Sequence, residues 1–301
     1  MTASANTVVG PGLSAPVRRR RRPVIAGLGL VPFGAYLLVF LALPTVLAIT
    51  SGVFVNGRFR PDNLGALADP VILTTFWNSA WLSLLTAVLG AAIGALICYA
   101  LLGLSETGAA RTVVDAGSGV LAQVGGVMLA FAFIATIGRQ GVVTRFLLDG
   151  LGVDIFANGV WLYDMPGLVL PYLYFQVPLM VITFNPAMAA LKPAWAEANL
   201  TLGGTRRTFW THIGLPVLAP SFLASLLLLF ANAFSSYATA AALISQGSQI
   251  VTLQIRTALT SETVLGRQSL AGVLALGMVV VIAVVMAAYT AVQRLAARWQ
   301  S

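Results

Sequence analysis

The sequence predicts an all-α, polytopic membrane protein with six transmembrane helices. Of its 301 residues, 58% are hydrophobic and only 9% are charged, and the mean hydropathy is +0.91. A soluble domain carries about a quarter charged residues, so this chain lacks the polar surface of a soluble globule. Its apolar residues gather into runs of roughly twenty or more, the length that crosses a bilayer as a helix. A transmembrane barrel would show short alternating segments instead.

Six of these runs are predicted as spans, at 24–50, 75–103, 112–137, 166–190, 214–244 and 269–293. Before the first span lie five consecutive arginines at 18–22 and a Ser-, Gly- and Pro-rich start, so residues 1–23 are predicted to form a disordered basic tail. An export signal would also place arginines before an apolar run. This run is too long for a signal peptide and lacks a convincing cleavage site, which favours an uncleaved first span.

Basic residues predict the orientation of these spans. With the N-terminus in the cytoplasm, eleven of the seventeen Lys and Arg residues fall on the inner side, and the outer loops are near neutral. Loops near the ends of membrane spans carry more Lys and Arg on the cytoplasmic side. Both termini and the polar loop at 191–216 are therefore predicted to be cytoplasmic.

The chain lacks residues for energy conversion or catalysis. A phosphate-binding loop of the G-x-x-x-x-G-K-[ST] type is excluded, because Lys192 is the single lysine and Pro193 follows it. The one histidine, His212, and the one cysteine, Cys98, exclude clustered metal motifs. Acidic and basic groups are nearly missing from the middle of the spans, although ion-coupled carriers generally need them. We therefore expect no catalytic, cofactor or metal site, and an energy source on another chain.

The loop between the fourth and fifth spans contains a spaced motif. It consists of Glu197-Ala-Asn-Leu-Thr-Leu-Gly203, then nine residues, then Ile213-Gly-Leu-Pro216. Pro193 suits the first turn of a helix, Gly203 suits its end, and Thr205 suits the cap of a second short helix. The expected structure is a pair of short amphipathic helices along the membrane surface.

This motif resembles the EAA loop of type I binding-protein-dependent bacterial ABC importer permeases, and only Asn199 departs from its E-A-A pattern. The resemblance extends over the six spans, so residues 24–301 are expected to form one permease domain. It implies that the chain is a non-enzymatic subunit of the bacterial cytoplasmic membrane. Its implied partners are a dimer of ABC ATPase subunits, a second permease subunit, an extracytoplasmic solute-binding protein and the lipid bilayer; nucleic acid is not among them.

The resemblance also implies roles for the loop residues. Those predicted to couple to the ATPase are Glu197, Ala198, Asn199, Gly203, Ile213, Leu215 and Pro216. In such permeases the helix inserts into a groove of the ATPase, the Glu makes polar contacts, and the Gly allows a close backbone approach. Trp195, Ala198, Leu202 and Phe209 are candidates to fill that groove, with anchoring at the membrane interface as the alternative for the aromatic residues.

A polar stretch in the fifth predicted span is the candidate solute pathway. It contributes Asn232, Ser235, Ser236, Tyr237 and Thr239. Polar groups at membrane depth turn toward partners or a water-lined path, so the alternative role is hydrogen bonding between helices. Hydrogen bonding between helices is the favoured role of four other polar residues, Asn78, Gln123, Gln176 and Asn185. The stretch resembles permeases of the spermidine/putrescine, ferric iron, thiamine and aminoethylphosphonate group.

The sequence does not specify the identity of the solute. A small polar solute is expected, and the resemblance favours a polyamine; thiamine, an iron complex, a phosphonate or a sugar are alternatives. A secondary carrier would show inverted repeats and charged groups within its spans, and neither is evident. An intramembrane enzyme would need a nucleophile and base or a metal constellation, which this composition does not provide.

Overall fold

The computed structural model describes residues 31–55, 58–59, 61–105, 108–244, 250–260 and 267–299. The predicted disordered tail at 1–23 and the start of the first span at 24 lie outside the described residues. Twelve α-helices can be followed in the described part of the chain. They are α1 (Val31–Val53), α2 (Pro70–Leu101), α3 (Ala109–Leu121), α4 (Gly126–Ile137), α5 (Val142–Leu151), α6 (Val169–Ala189), α7 (Pro193–Thr201), α8 (Arg206–Phe209), α9 (Leu215–Phe234), α10 (Ala238–Leu243), α11 (Val251–Thr260) and α12 (Arg267–Trp299).

Shorter elements connect these helices. Two antiparallel strands of two residues each, β1 (Phe54–Val55) and β2 (Arg58–Phe59), follow α1. Turns of 3₁₀-helix occur at Pro61–Ala68, Trp161–Tyr163 and Met165–Leu168, and π-helical segments at Leu38–Ala42 and Trp210–Gly214. The second π-helical segment joins α8 to α9 without a break.

Six helical segments of the described residues are long and apolar enough to cross a membrane. They are Val31–Val53, Pro70–Leu101, Gly126–Leu151, Met165–Ala189, Arg206–Phe234 and Ser269–Arg294. The predicted all-α polytopic fold class is therefore confirmed. The chain divides after Leu47 into two units, and the described part of the first unit is the beginning of α1.

The segment predicted as the third span, 112–137, is not one helix. It is divided into α3 and α4 by a turn at residues 122–125. Gly125 is extended and Gly126 has a φ of +70°, a backbone conformation that glycine adopts without steric cost. The candidate third span of the structure instead combines α4 with α5, at Gly126–Leu151.

The segment predicted as the fifth span, 214–244, is also interrupted. α9 ends at Phe234, and α10 begins at Ala238. Between them, the carbonyl oxygen of Ser236 accepts hydrogen bonds from the Tyr172 hydroxyl at 3.2 Å and from Thr252 Oγ1 at 3.4 Å. These hydroxyls provide hydrogen-bond partners for a carbonyl that is no longer paired within the helix. Irregular backbone at membrane depth is tolerated when its polar groups find such partners in the protein.

α2 and α6 form the central helix pair of the second unit. α2 begins at Pro70, where the Asp69 carboxylate accepts a hydrogen bond from the Val71 amide at 2.8 Å and so caps the helix. With 32 residues, it is about 48 Å long. That exceeds the hydrocarbon thickness of about 30 Å, so α2 contributes to both ends of the structure.

Two glycines of α2 bring it close to α6. A Cβ atom placed on Gly94 would lie 2.5 Å from Met180 Cβ, and one on Gly90 would lie 2.9 Å from Gln176 Cβ. Small residues let helix backbones approach in membranes, where dispersion contacts drive association. The Gly90-x-x-x-Gly94 pattern is therefore the surface of α2 that packs against α6.

A buried polar contact lies beside this interface. Gln176 of α6 is 0% exposed, and its Nε2 donates to Thr86 Oγ1 of α2 at 2.7 Å. Asn185 of α6 likewise donates to the Asp115 carboxylate of α3 at 3.2 Å. For Gln176 and Asn185, the predicted role of joining helices agrees with these contacts.

Replacing Gly94 tests whether the α2–α6 contact stabilises the fold. Gly94→Ala adds a methyl group against Met180, and overpacking of this kind costs about 1–3 kcal/mol. We expect a lower free energy of unfolding in detergent micelles. Gly117→Ala in α3 is the matched control, because no atom lies within 4 Å of its added Cβ. Equal stability of the two variants would contradict the contact.

Candidate functional site

The first part of the candidate site is the loop at 192–216, which begins as the sequence predicts. Lys192 is extended, and Pro193 occupies the first position of α7. Pro193 fits there because the first amide of a helix has no partner within the helix. None of the nine residues of α7 is buried, so the helix stands on the surface of this chain.

α7 ends in a Schellman motif. The Gly204 amide donates to the Asn199 carbonyl at 2.8 Å, and the Gly203 amide donates to the Leu200 carbonyl at 3.0 Å. Gly203 has a φ of +80°, in the left-handed region that favours glycine. Among the described residues, no atom other than those of its chain neighbours lies within 4 Å of a Cβ placed there. Within this chain, Gly203 is therefore required by backbone conformation rather than by a close approach.

Asn199, the one departure from the E-A-A pattern, holds the two short helices together. Its side-chain Nδ2 donates to the Thr205 carbonyl at 3.0 Å, across the turn between α7 and α8. A Cβ on Gly204 would collide with this amide group. The side chain therefore uses the space left by Gly204 to brace a turn that an alanine at 199 would leave unbraced.

α8 is capped and anchored by separate contacts. Thr205 caps it as predicted, because its Oγ1 accepts a hydrogen bond from the Thr208 amide at 3.3 Å. The Arg206 guanidinium donates to the Tyr99 hydroxyl, near the end of α2, and lies over its ring at 5.9 Å from the centroid. Trp210 packs edge-on against the same ring, with centroids 5.3 Å apart. The base of the loop is thus fixed to α2.

The predicted ATPase-coupling residues divide by exposure. Glu197 and Ala198 are exposed on α7, and Asn199 is half-buried in the turn. Ile213 is half-buried in the π-helical segment, whereas Leu215 and Pro216 are exposed at the start of α9. Glu197, Ala198 and Gly203 are therefore accessible on the loop, whereas the last three residues of the motif lie where the loop enters α9.

The prediction that Phe209 is available to fill a groove of the ATPase is wrong. It is buried within this chain and packs against Trp210, with ring centroids 5.6 Å apart. Trp195 is half-buried. Leu202, in contrast, is 88% exposed, and Leu200, which the sequence interpretation missed, is 63% exposed. Leu200 in α7 and Leu202 directly after it are therefore exposed apolar side chains on this part of the loop.

The second part of the candidate site is the polar break at 235–237, at the far end of α9. The twenty residues of α9 extend about 30 Å, comparable to the hydrocarbon thickness. The loop and the break therefore lie at opposite ends of one helix. Tyr237 is 40% exposed, and Asn232 and Ser235 are exposed as well.

The predicted pathway residues do not form one continuous surface. Ser235 Oγ donates back to the Ala231 carbonyl at 2.9 Å, Ser236 is half-buried, and Thr239 is only 1% exposed. Thr239 Oγ1 has no hydrogen-bond partner among the described residues. Asn232, Ser235 and Tyr237 are therefore the members of the predicted set that a solute could contact.

Residues of α11 complete this region. A groove of about 380 Å³ is lined by Tyr237, Thr252, Ile255, Arg256, Leu259 and Thr260. Arg256 is not among the site residues that the sequence predicts. Its proximity to Tyr237 depends on the packing of a distant segment, so no local motif signals it. The described residues hold no group of three or more His, Cys, Asp or Glu side chains suited to a metal ion.

Comparison with known proteins supports the predicted resemblance. No family model matches the sequence. The ferric transport system permease protein of Actinobacillus pleuropneumoniae is 28% identical over 34% of this chain and 14% of its own length. The molybdenum transport system permease protein ModB of Mycobacterium bovis is 29% identical over 38% of this chain and 39% of its own length. The sulfate transport system permease protein CysT of Escherichia coli is 26% identical over 36% of this chain and 40% of its own length.

The match thus spans less than two thirds of each of these relatives. A crystal structure of a bacterial ABC transporter involved in the import of the acidic polysaccharide alginate has the same fold, with a TM-score of 0.70 over 91% of this chain and 95% of the solved one, at 17% identity. The resemblance to type I ABC importer permeases inferred from the loop is confirmed.

Replacing Asn199 tests whether it braces the turn. Asn199→Ala removes the hydrogen bond to the Thr205 carbonyl, and a typical net loss of about 1 kcal/mol corresponds to roughly fivefold faster amide exchange at residues 203–206. Thr201→Ala is the control, since it removes a side-chain hydrogen bond that stays within α7. Exchange that is unchanged in Asn199→Ala would show that the Schellman motif alone holds the turn.

Proposed function

We propose that this chain is the transmembrane subunit of an ATP-driven importer. It forms the solute pathway and couples to a separate ATPase through the loop from Glu197 to Pro216. Two exposed leucines carry this proposal, because Leu200 in α7 and Leu202 directly after it lie on a helix with no fully buried residue in its own chain. An apolar surface of this kind on an otherwise polar loop indicates a protein partner.

The path of the backbone supports a mechanical role for the loop. α8, the π-helical segment and α9 continue without interruption from Arg206 to Phe234. A displacement of the loop by an ATPase is therefore passed along one helix to the break at 235–237. Helix shifts at subunit interfaces are a common form of coupling between distant sites.

Hydrolysis of ATP is assigned to a partner chain. In this proposal the assembly contains two ATPase subunits, a second permease subunit and an extracytoplasmic solute-binding protein, and it lies in the bacterial cytoplasmic membrane with both termini inside. A solved structure of the alginate transporter includes a periplasmic protein bound to an alginate pentasaccharide, which supports a solute-binding partner for this chain. In this proposal the ATPase subunits bind the permease through this loop.

The solute is proposed to be small and polar. The sequence resemblance favours a polyamine, whereas the names of the relatives refer to ferric iron, molybdenum and sulfate. A secondary carrier remains the less favoured alternative, because the six candidate spans contain few charged side chains.

The docking surface can be tested with a charge placed directly after α7. Leu202→Glu leaves the fold of this chain intact, because Leu202 is 88% exposed, but it places a carboxylate in the apolar contact. We expect at least about a tenfold loss of ATPase association, as for a central interface residue. Co-purification of the ATPase subunit from membranes measures it. Val153→Glu, at an exposed apolar residue outside the candidate spans, is the control. Normal association of Leu202→Glu would remove α7 from the proposed interface.

Orientation is tested independently with single cysteines. The natural thiol, Cys98, is buried and gives little background. With α7 in the cytoplasm, Ala194→Cys should be shielded from a membrane-impermeant thiol reagent in intact cells and should react after lysis. Gly150→Cys, in α5, should react in both conditions. Labelling with the opposite pattern would overturn the proposed orientation and, with it, docking of the loop on a cytoplasmic ATPase.

A further inference from the structure

We infer that a crevice beside the loop end of α2 binds one anionic phospholipid, with an acyl chain in the crevice and the phosphate of the headgroup at Arg206. The crevice is a cavity of about 450 Å³ between α2, α6 and α9. Tyr99 and Trp210 line its loop end, and Phe222 and Leu223 line its far end. The inference requires that this chain lies in a membrane, and it is independent of ATPase docking and of the solute.

The position of the crevice matches the hydrocarbon of one leaflet. All twelve lining residues belong to three candidate membrane spans. From Leu215 to Leu223 the crevice follows α9 for eight residues, about 12 Å at 1.5 Å per residue. One leaflet has about 15 Å of hydrocarbon, half of the full core of about 30 Å. The crevice therefore runs in the direction of an acyl chain, from the loop side of the membrane along most of one leaflet.

The shape and lining of the crevice suit a hydrocarbon chain. Apart from the Tyr99 hydroxyl and the Trp210 indole N–H, the lining side chains carry no polar group. Phe184 and Met188 are buried at its floor, whereas Leu96 is 67% exposed at its edge, so the crevice opens to the side. A helix of the same length would occupy roughly 1,000 Å³, more than this volume. An unfilled crevice would also forfeit dispersion contacts, which a single acyl chain restores.

A cation lies at the loop end of the crevice. The Arg206 guanidinium donates to the Tyr99 hydroxyl and lies over its ring, 5.9 Å from the centroid. Most of its N–H groups remain for another acceptor, and Arg206 has no salt-bridge partner within the described part of the chain. Arg207, the next residue, is exposed as well. A guanidinium matches the geometry of a phosphate, and basic pockets between transmembrane helices bind anionic headgroups.

Aromatic contacts hold the loop end of the crevice in place. The Trp210 ring packs edge-on against Tyr99, with centroids 5.3 Å apart. A Cβ atom on Gly214 would lie 2.6 Å from Trp210 Cε3, so this glycine leaves room for the indole. Tyr and Trp favour the interface between membrane and water. The site therefore has the order of a phospholipid, with a charge first, then interfacial rings, then an apolar crevice.

Lipid binding to the purified full chain tests the inference. The delipidated chain is titrated in detergent micelles with dioleoylphosphatidylglycerol, and bound lipid is counted by native mass spectrometry. Ala219→Phe places a ring in the crevice at an exposed lining position. We expect about tenfold weaker binding of the first lipid, equivalent to the loss of roughly ten carbon–carbon contacts. Ala135→Phe, at an exposed alanine of α4, adds the same bulk outside the crevice and should bind like the unchanged protein.

The role of Arg206 is measured with a second lipid, dioleoylphosphatidylcholine, which has no net charge. Arg206→Gln should reduce the preference for phosphatidylglycerol about fivefold, the contribution of one arginine near an anionic headgroup. Arg206→Lys keeps the charge and should retain most of the preference. Arg145→Gln, which removes an exposed arginine of α5 outside the crevice, is the matched control. Equal preferences in Arg206→Gln and Arg145→Gln would overturn the inference.

Other occupants of the crevice give different results. Displacement of phosphatidylglycerol by an equal concentration of inorganic phosphate would show that the headgroup alone binds, and it would overturn the inference. A change of Ala219→Phe from dimer to monomer, with unchanged lipid binding, would instead identify the crevice as an interface between two copies of this chain. Variants are compared at equal thermal stability, so that misfolding is recognised. Because these measurements contain no ATPase, a negative result leaves the association test with Leu202→Glu intact.

Discussion

The close contact of α2 with α6 is the constraint on which both functional regions depend. Gly90 and Gly94 let the two backbones approach, and no side chain on α2 separates the helices at these positions. α2 then reaches both ends of the structure. Near one end, Ser79 accepts the first amide of α11, and near the other, Tyr99 accepts the Arg206 guanidinium. The groove and the loop are thus anchored to a single long helix.

The contacts at the two ends differ in strength for a physical reason. The Ser79 and Ser236 contacts are buried or partly buried, where an unpaired polar group is costly, so they hold the break at 235–237 rigidly. The Arg206–Tyr99 contact is exposed, and exposed contacts contribute less. The contacts that hold the loop are therefore weaker than those that hold the groove. A partner that moves the loop works against the weaker set of contacts, while α9 transmits the displacement.

The arginines at the two ends have different surroundings. At the loop, Arg206 contacts the Tyr99 ring, and Leu200 and Leu202 are exposed nearby. At the groove, Arg256 has no such engagement among the described residues and lies beside a phenol. The same residue type thus anchors the backbone at one end and stays exposed at the other. The difference arises from the neighbouring side chains and not from the arginine itself.

The sequence by itself determined the fold class and the local structure of the loop. Apolar runs of span length leave helices as the available structure, because their backbone polar groups must pair within the segment. Pro193, Gly203 and Thr205 fix a helix start, an end and a cap through short-range effects, so the structure agrees with them. The resemblance of the loop to importer permeases also needed only spacing along the chain.

Tertiary structure decided where the helices break and which side chains remain available. Hydropathy does not distinguish a continuous span from α9 and α10, because the interruption depends on hydroxyls from Tyr172 and Thr252, distant in sequence from Ser236. Phe209 looked free in the sequence but is buried, whereas Leu200 is exposed. Arg256 lines a groove with Tyr237 because α11 is held by hydrogen bonds to Ser79 and Ser236. These outcomes follow from long-range contacts, which spacing along the chain does not encode.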